Sequence, residues 1–185
     1  TADITIGLTV PVIAISCPSA VVYTGLAQSP CSATVRATGL NLTPAPTYSA
    51  NVDAGTVTAT VVYSGGSNYG PATASRNFSI GAAPTTTTIA CPVSRVYTGA
   101  AIAPCTATVV GPNGLSLARV PGYTANVNAG IAVASYTYPS GGNYLSSSDL
   151  VTFQILAAAS VTAVACPGSV AYTGANQSPC TAAAT

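Results

Sequence analysis

The residues whose type and spacing most directly imply chemistry are six cysteines: Cys17 and Cys31, Cys91 and Cys105, Cys166 and Cys180. The members of each pair stand 14 positions apart. Zinc binding and disulfide formation are the two chemistries open to such pairs. A zinc site wants four ligands, usually from close Cys-x-x-Cys pairs or histidines, and the chain has no His. Evenly spaced pairs point instead to disulfides made in an oxidising compartment, joining Cys17–Cys31, Cys91–Cys105 and Cys166–Cys180. If each pair closes an antiparallel hairpin, the constant sum of paired positions puts the first turn at Thr24-Gly25.

Other chemistry is thinly supplied. Asp3, Asp53 and Asp149 lie far apart in sequence, so no pair of carboxylates is set up for acid–base work on a sugar. Without His there is no ordinary Ser-His or Cys-His couple. No Gly-rich stretch carries the Lys of a phosphate loop. Asn51 with Asp53 falls short of a calcium site, and Asp53 reads as a turn former, since its counterpart is Asn128. The expectation is a chain that is not an enzyme, with no cofactor and no metal site.

Surface chemistry remains. Tyr23, Tyr97 and Tyr172 stand in Tyr-Thr-Gly triplets. They are either platforms for stacking a sugar or rings packed beside the cysteines with their hydroxyls on backbone. Tyr69 and Tyr144, in glycine-containing loops, suit surface contacts or contacts between repeats. Candidate glycosylation positions are Asn41, Asn77 and Asn176 in Asn-x-Ser/Thr triplets, with Thr86, Thr88 and Ser147 in hydroxyl-rich runs. Only 4% of residues are charged, and sugars would supply the solvation that so few charges cannot. The same scarcity of charge speaks against nucleic acid as a partner and against disorder. No apolar run reaches the length of a membrane helix.

These residues are placed by a repeat. Cys17-Pro18 through Tyr23-Thr24-Gly25 to Pro30-Cys31 returns as Cys91-Pro92 through Tyr97-Thr98-Gly99 to Pro104-Cys105. It returns again as Cys166-Pro167 through Tyr172-Thr173-Gly174 to Pro179-Cys180. Such self-similarity marks an array. Aligned on the cysteines, the chain divides into 1–8 (the last strand of a preceding repeat), 9–82, 83–157 and 158–185 (the first hairpin of a following repeat). The expectation is a window on a longer array.

Within the first full repeat, short alternating segments separated by turn residues predict seven strands: 12–17, 20–23, 31–37, 40–43, 47–52, 56–63 and 73–80. Val57, Ala59, Val61 and Tyr63 share one face of the sixth, and Ala132, Ala134, Tyr136 and Tyr138 match them in the next repeat. No helix is expected. The second repeat is one residue longer, with the insertion just ahead of the hairpin signal Asn113-Gly114. From Ile6, Ile80 and Ile155 the next cysteine is always 11 residues on, so the last strand of one repeat feeds directly into the next. Stiff joints follow from that constancy.

The full pattern is Cys-Pro, Tyr-Thr-Gly and Pro-Cys, then Ala-Thr-Val, Gly-Leu-x-Leu, Tyr-x-Ala-Asn-Val-x-Ala-Gly, and Gly-x-Asn-Tyr before Phe-x-Ile. It resembles the mostly-bacterial immunoglobulin-like (MBG) repeats of large bacterial surface and fibre proteins. That resemblance implies an all-β chain of tandem immunoglobulin-like β-sandwich domains, each of about seven strands; many such repeats lack the cysteine pair, so the one disulfide per domain expected from the spacing is a variation here. It implies an extracellular or cell-surface rod, stalk or filament. Its partners would be neighbouring repeats of the same chain or identical chains in a filament, with covalent glycans on its surface. The alternative is an adhesin-type module whose loops recognise glycans or surfaces.

Overall fold

The computed structural model describes residues 6–185. The expected terminal strand around Ile4-Thr5-Ile6 lies largely outside the described residues. Among the described residues there are sixteen strands and no helix, as the period-two patterning and the many Val, Thr, Gly and Pro residues dictate.

Seven strands lie in the first repeat: β1 (Val12–Ser16), β2 (Ala20–Val22), β3 (Ser32–Ala37), β4 (Leu40–Leu42), β5 (Thr47–Ser49), β6 (Gly55–Tyr63) and β7 (Ala72–Gly81). They form a three-stranded sheet, β1-β3-β4, and a four-stranded sheet, β2-β7-β6-β5. The second repeat has the same plan. There β8 (Thr86–Ala90), β10 (Thr106–Val110) and β11 (Ser116–Arg119) make the smaller sheet. β9 (Ser94–Val96), β12 (Gly122–Thr124), β13 (Gly130–Tyr138) and β14 (Ser147–Leu156) make the larger. The strands β15 (Thr162–Ala165) and β16 (Thr181–Ala184) pair with each other alone, and their side chains are exposed.

Alternation decides what is buried. On β6, Val57, Ala59 and Val61 point inward, and Phe78 and Ile80 of β7 join them. Ala33 and Val35 of the smaller sheet pack on Val61, closing one core between the two sheets. Its counterpart gathers Ile89, Ala107, Ala132, Ala134, Phe153 and Ile155. The small Ala residues let the sheets approach, while one Phe per repeat fills the middle. Tyr48 meets Phe78 edge-on at 6.2 Å, and Tyr123 meets Phe153 at 6.3 Å.

The predicted strands are present, with ends moved by one to three residues. The largest change is at the fifth, which ends at Ser49 because Ala50 takes a φ of 54° and turns the chain. Ala125 does the same in the second repeat, at the same φ of 54°.

One expectation is overturned. β1 and β3 pair in the register that the cysteine spacing demands, from Val12 opposite Arg36 to Ser16 opposite Ser32. The residues between them, however, do not form a hairpin closed at Thr24-Gly25. Pro18 and Pro30 lack the N–H needed to continue that ladder. β2 instead crosses to the other sheet and runs parallel to the end of β7, with Ala20 opposite Ser79 and Val22 opposite Gly81. β9 repeats the crossing beside β14. Gly25 still turns, at φ 81°, but joins no paired strands.

Candidate functional site

The sulfurs of Cys17 and Cys31, Cys91 and Cys105, and Cys166 and Cys180 are bonded at 2.08, 2.10 and 2.07 Å. The first two bridges sit where the chain leaves the smaller sheet, against the cores. Each is braced by a tyrosine that the sequence pattern alone does not single out. The Tyr48 hydroxyl accepts from Cys31 N at 3.0 Å and donates to Cys31 O at 3.3 Å. Tyr123 does the same for Cys105, at 2.9 and 3.1 Å. The backbone-bonded hydroxyl is therefore theirs and not that of Tyr23. The signal was the Tyr in each Tyr-x-Ala-Asn-Val stretch, 17 or 18 positions beyond the second cysteine.

Tyr23 has another role. Its ring is buried to 5% exposure beside Val57, Phe78 and Ile80, and its hydroxyl accepts from Asn113 Nδ2 of the second repeat at 3.2 Å. Tyr144 of the second repeat meets it edge-on, with centroids 5.6 Å apart and planes at 84°. The Tyr144 hydroxyl donates to Pro112 O at 3.1 Å, so the two loops of the second repeat brace each other. Burial raises the Tyr144 phenol above its ordinary pKa, and the neighbouring phenols of Tyr23 and Tyr138 push it the same way.

Beside the tyrosines, Asn143 spans the junction with both ends of its amide. Its Oδ1 accepts from Ala54 N at 2.7 Å, and its Nδ2 donates to Asp53 Oδ1 at 3.0 Å. The connecting segment closes the other side. Ala83 N donates to Asn143 O, and Leu145 N to Ala83 O, both at 2.8 Å. Ala83, 1% exposed, is buried in the core cluster of the first repeat.

Each element that presents these groups is locally determined. Asp53-Ala54-Gly55 is the turn into β6, with Gly55 at φ 152°. Asn51 ties this turn to the chain beyond Gly25, donating through Nδ2 to Gln28 O while Gln28 N donates to Asn51 O. On the facing side, Pro112-Asn113-Gly114-Leu115 turns with φ of 56° at Asn113 and 71° at Gly114, the primed geometry Asn-Gly favours. Tyr69 in the first repeat matches Tyr144: its hydroxyl donates to Thr38 O at 2.7 Å, and Thr9 runs beside it as Ala83 runs beside Tyr144.

The remaining predicted positions are scattered. Asn41, Asn77, Asn176, Thr86 and Thr88 have exposed side chains, with Asn77 Oδ1 accepting from the Thr58 hydroxyl at 3.0 Å. Ser147 is half-buried, and its hydroxyl is shared with Thr85 at 2.8 Å and Thr87 at 2.7 Å. Asp149 is not brought near Asp53; it fastens one sheet of the second repeat to the other, accepting from Ile89 N at 2.7 Å. An open groove of about 480 Å³ lies along Ser32, Thr34, Thr43, Pro44 and Tyr48, presenting hydroxyls and apolar surface. Tyr97 and Tyr172, the counterparts of Tyr23, are 38% and 94% exposed. Asn128 and Ala129, the counterparts of Asp53 and Ala54, lie with Tyr97 around a hollow of about 440 Å³.

Neither family models, curated proteins nor solved structures give a match to this chain.

The arrangement is that of a joint. Two hydrogen-bonded loops of one repeat seat on the turn and buried tyrosine of the repeat before it, with the connecting chain paired alongside.

Proposed function

We propose that this chain is a run of immunoglobulin-like β-sandwich repeats of the MBG kind, working as a stiff extracellular rod or stalk on or from a bacterial cell. Its domains are 9–82 and 83–157, with 1–8 and 158–185 belonging to repeats on either side. The observation that carries this reading is the double hydrogen bond of Asn143 to Ala54 and Asp53, backed by the contact of Tyr144 with Tyr23. A flexible tether between binding modules has no use for side-chain bonds across its joints, whereas a rod needs its bending resisted at every one. The connecting chain agrees, because Ala83 is already paired with the second repeat while its side chain is buried in the first.

The disulfides fit an oxidising, extracellular setting, where small domains rely on covalent staples. Partners are then adjoining repeats in the same chain or identical chains in a filament, and exposed Asn41, Asn77, Thr86 and Thr88 are open to covalent sugars. Small-angle X-ray scattering on the whole chain tests the rod. An elongated particle of constant cross-section, with one narrow distribution of lengths, is the expected result. A broad distribution typical of beads on a loose tether would overturn it.

A further inference from the structure

The crossing of β2 and β9 points beyond stiffness to the bearing of tension. We infer that each repeat is built to carry a pulling load as shear across a parallel strand pair, with its disulfide locking the crossing loop out of the extension. This rests on the reading of the chain as a tandem array, in which force reaches a repeat only through its two ends.

The geometry of those ends sets the direction of the load. The chain enters the first repeat beside the loop that precedes β7, where Thr9 N donates to Asn68 O and Gly70 N to Thr9 O. It leaves from the other end of β7, where Gly81 O accepts from Tyr23 N at 2.9 Å. These points are separated by the ten residues of β7, roughly 33 Å of extended chain. β1 and then β2 follow from the entering chain, and β2 runs the same way as β7. Tension therefore draws β2 back toward its start while it draws β7 forward toward its end. Two parallel strands pulled so must slide past one another, breaking their bonds together rather than one at a time.

The ladder of β2 on β7 is flanked by two such bonds, Tyr23 N to Gly81 O at 2.9 Å and Ser79 N to Ser19 O at 3.2 Å. The second repeat supplies the same pair, Tyr97 N to Leu156 O at 2.8 Å and Gln154 N to Val93 O at 3.0 Å. β2 is the one strand of the larger sheet that follows directly from β1 of the smaller, so it links the loaded ends by hydrogen bonds. Cys17, between β1 and β2, is bonded to Cys31 at the start of β3. A displaced Cys17 must drag β3 with it, and the 13 residues 18–30 cannot pay out as slack.

Single-molecule pulling on the whole chain, held by its two termini, tests this. Oxidised repeats are expected to unfold at a high, sharply distributed force. Reduction should lower that force in both repeats and lengthen each step by roughly 45 Å, because the 14 residue steps closed by the disulfide span about 3.5 Å each when extended. Ser79→Pro with Gln154→Pro removes one clamp donor per repeat while leaving the β6 and β13 ladders, since those N–H groups face β2 and the chain before β9. The force should fall well below that of Val61→Ala with Ala134→Gly, a core pair that leaves the clamp intact.

Equal forces in the clamp and core variants at equal loss of thermal stability would overturn the proposal, as would a reduced chain that unfolds at the oxidised force. Should the proline variants not fold, reduction of the unmodified chain decides the matter alone. A loose joint seen by scattering, together with a high unfolding force that drops on reduction, would sink the rod and leave the clamp standing.

Discussion

The side chain of Asn113 lies so close over Gly25 that a methyl group on that glycine would stand 2.2 Å from Asn113 Cγ. Asn113 belongs to the longer Gly-Pro-Asn-Gly turn of the second repeat and also reaches the Tyr23 hydroxyl. Gly25→Ala should therefore force the two repeats apart. Gly99→Ala is the matched control: Gly99 has nearly the same φ, 78° against 81°, but its nearest neighbour would be 4.0 Å away. Both variants should lose the roughly 1–2 kcal/mol that a left-handed alanine costs. Only Gly25→Ala should also broaden the distribution of lengths in scattering, and equal broadening in both would refute the seat.

A second test separates the amide of Asn143 from the charge of Asp53. Asn143→Ala removes the two bonds its own side chain makes across the junction, to Ala54 N and Asp53 Oδ1, leaves that of Asn113 to Tyr23, and touches neither core. The melting temperature of each repeat should hardly move, while relaxation measurements show the two repeats tumbling more independently. Asp53→Asn should change little, because an amide oxygen still accepts from Asn143 Nδ2 and Asn128 occupies the equivalent turn. A large effect of Asp53→Asn would mean that charge, not hydrogen-bond geometry, holds the junction.

Much of this was legible in the sequence, for physical reasons that differ from element to element. Val57, Ala59 and Val61 declare their inward face by alternation, and Asn113-Gly114 declares its turn by the φ it tolerates. Spacing of the cysteines predicted the β1–β3 register. What stayed hidden was non-local. β2 is three residues long, and its partner, the end of β7, lies some sixty positions away, so no local pattern announces a parallel crossing. The prolines flanking it were visible, but their consequence depends on a sheet not yet formed. Tyr144 was legible as a contact residue from its loop; that Tyr23 would receive it, and that Tyr48 would hold Cys31, required the fold.

The brace on the disulfide can be tested by itself. Tyr48→Phe leaves the ring against Phe78 but removes the hydroxyl that serves Cys31 N and O. Leaving a part-buried N–H unpartnered costs about 1–3 kcal/mol. Denaturant unfolding should show that loss for the first repeat alone, with Tyr123→Phe giving the matching loss in the second. Hydrogen exchange at Cys31 N should rise sharply in Tyr48→Phe, and unchanged exchange would assign the brace to the ring.

The junction should also respond to alkaline pH, through Tyr144. Its phenol is raised above the ordinary value, first by burial and then by Tyr23 and Tyr138. A raised folded-state value means that the neutral form is favoured by folding. The associated stabilisation is thus fully present below the unfolded tyrosine value of about 10 and is lost as pH rises through the folded one. The chemistry agrees with the sign, because an ionised Tyr144 could no longer donate to Pro112 O and would set a charge against the edge of the Tyr23 ring. Scattering followed from neutral to strongly alkaline pH should show one length up to about pH 10 and a spread of lengths above it. Tyr144→Phe keeps the edge-on ring without the ionisable hydroxyl, and should hold its length distribution to higher pH than the unmodified chain. If both chains loosen together, the titration that opens the joint belongs to another group.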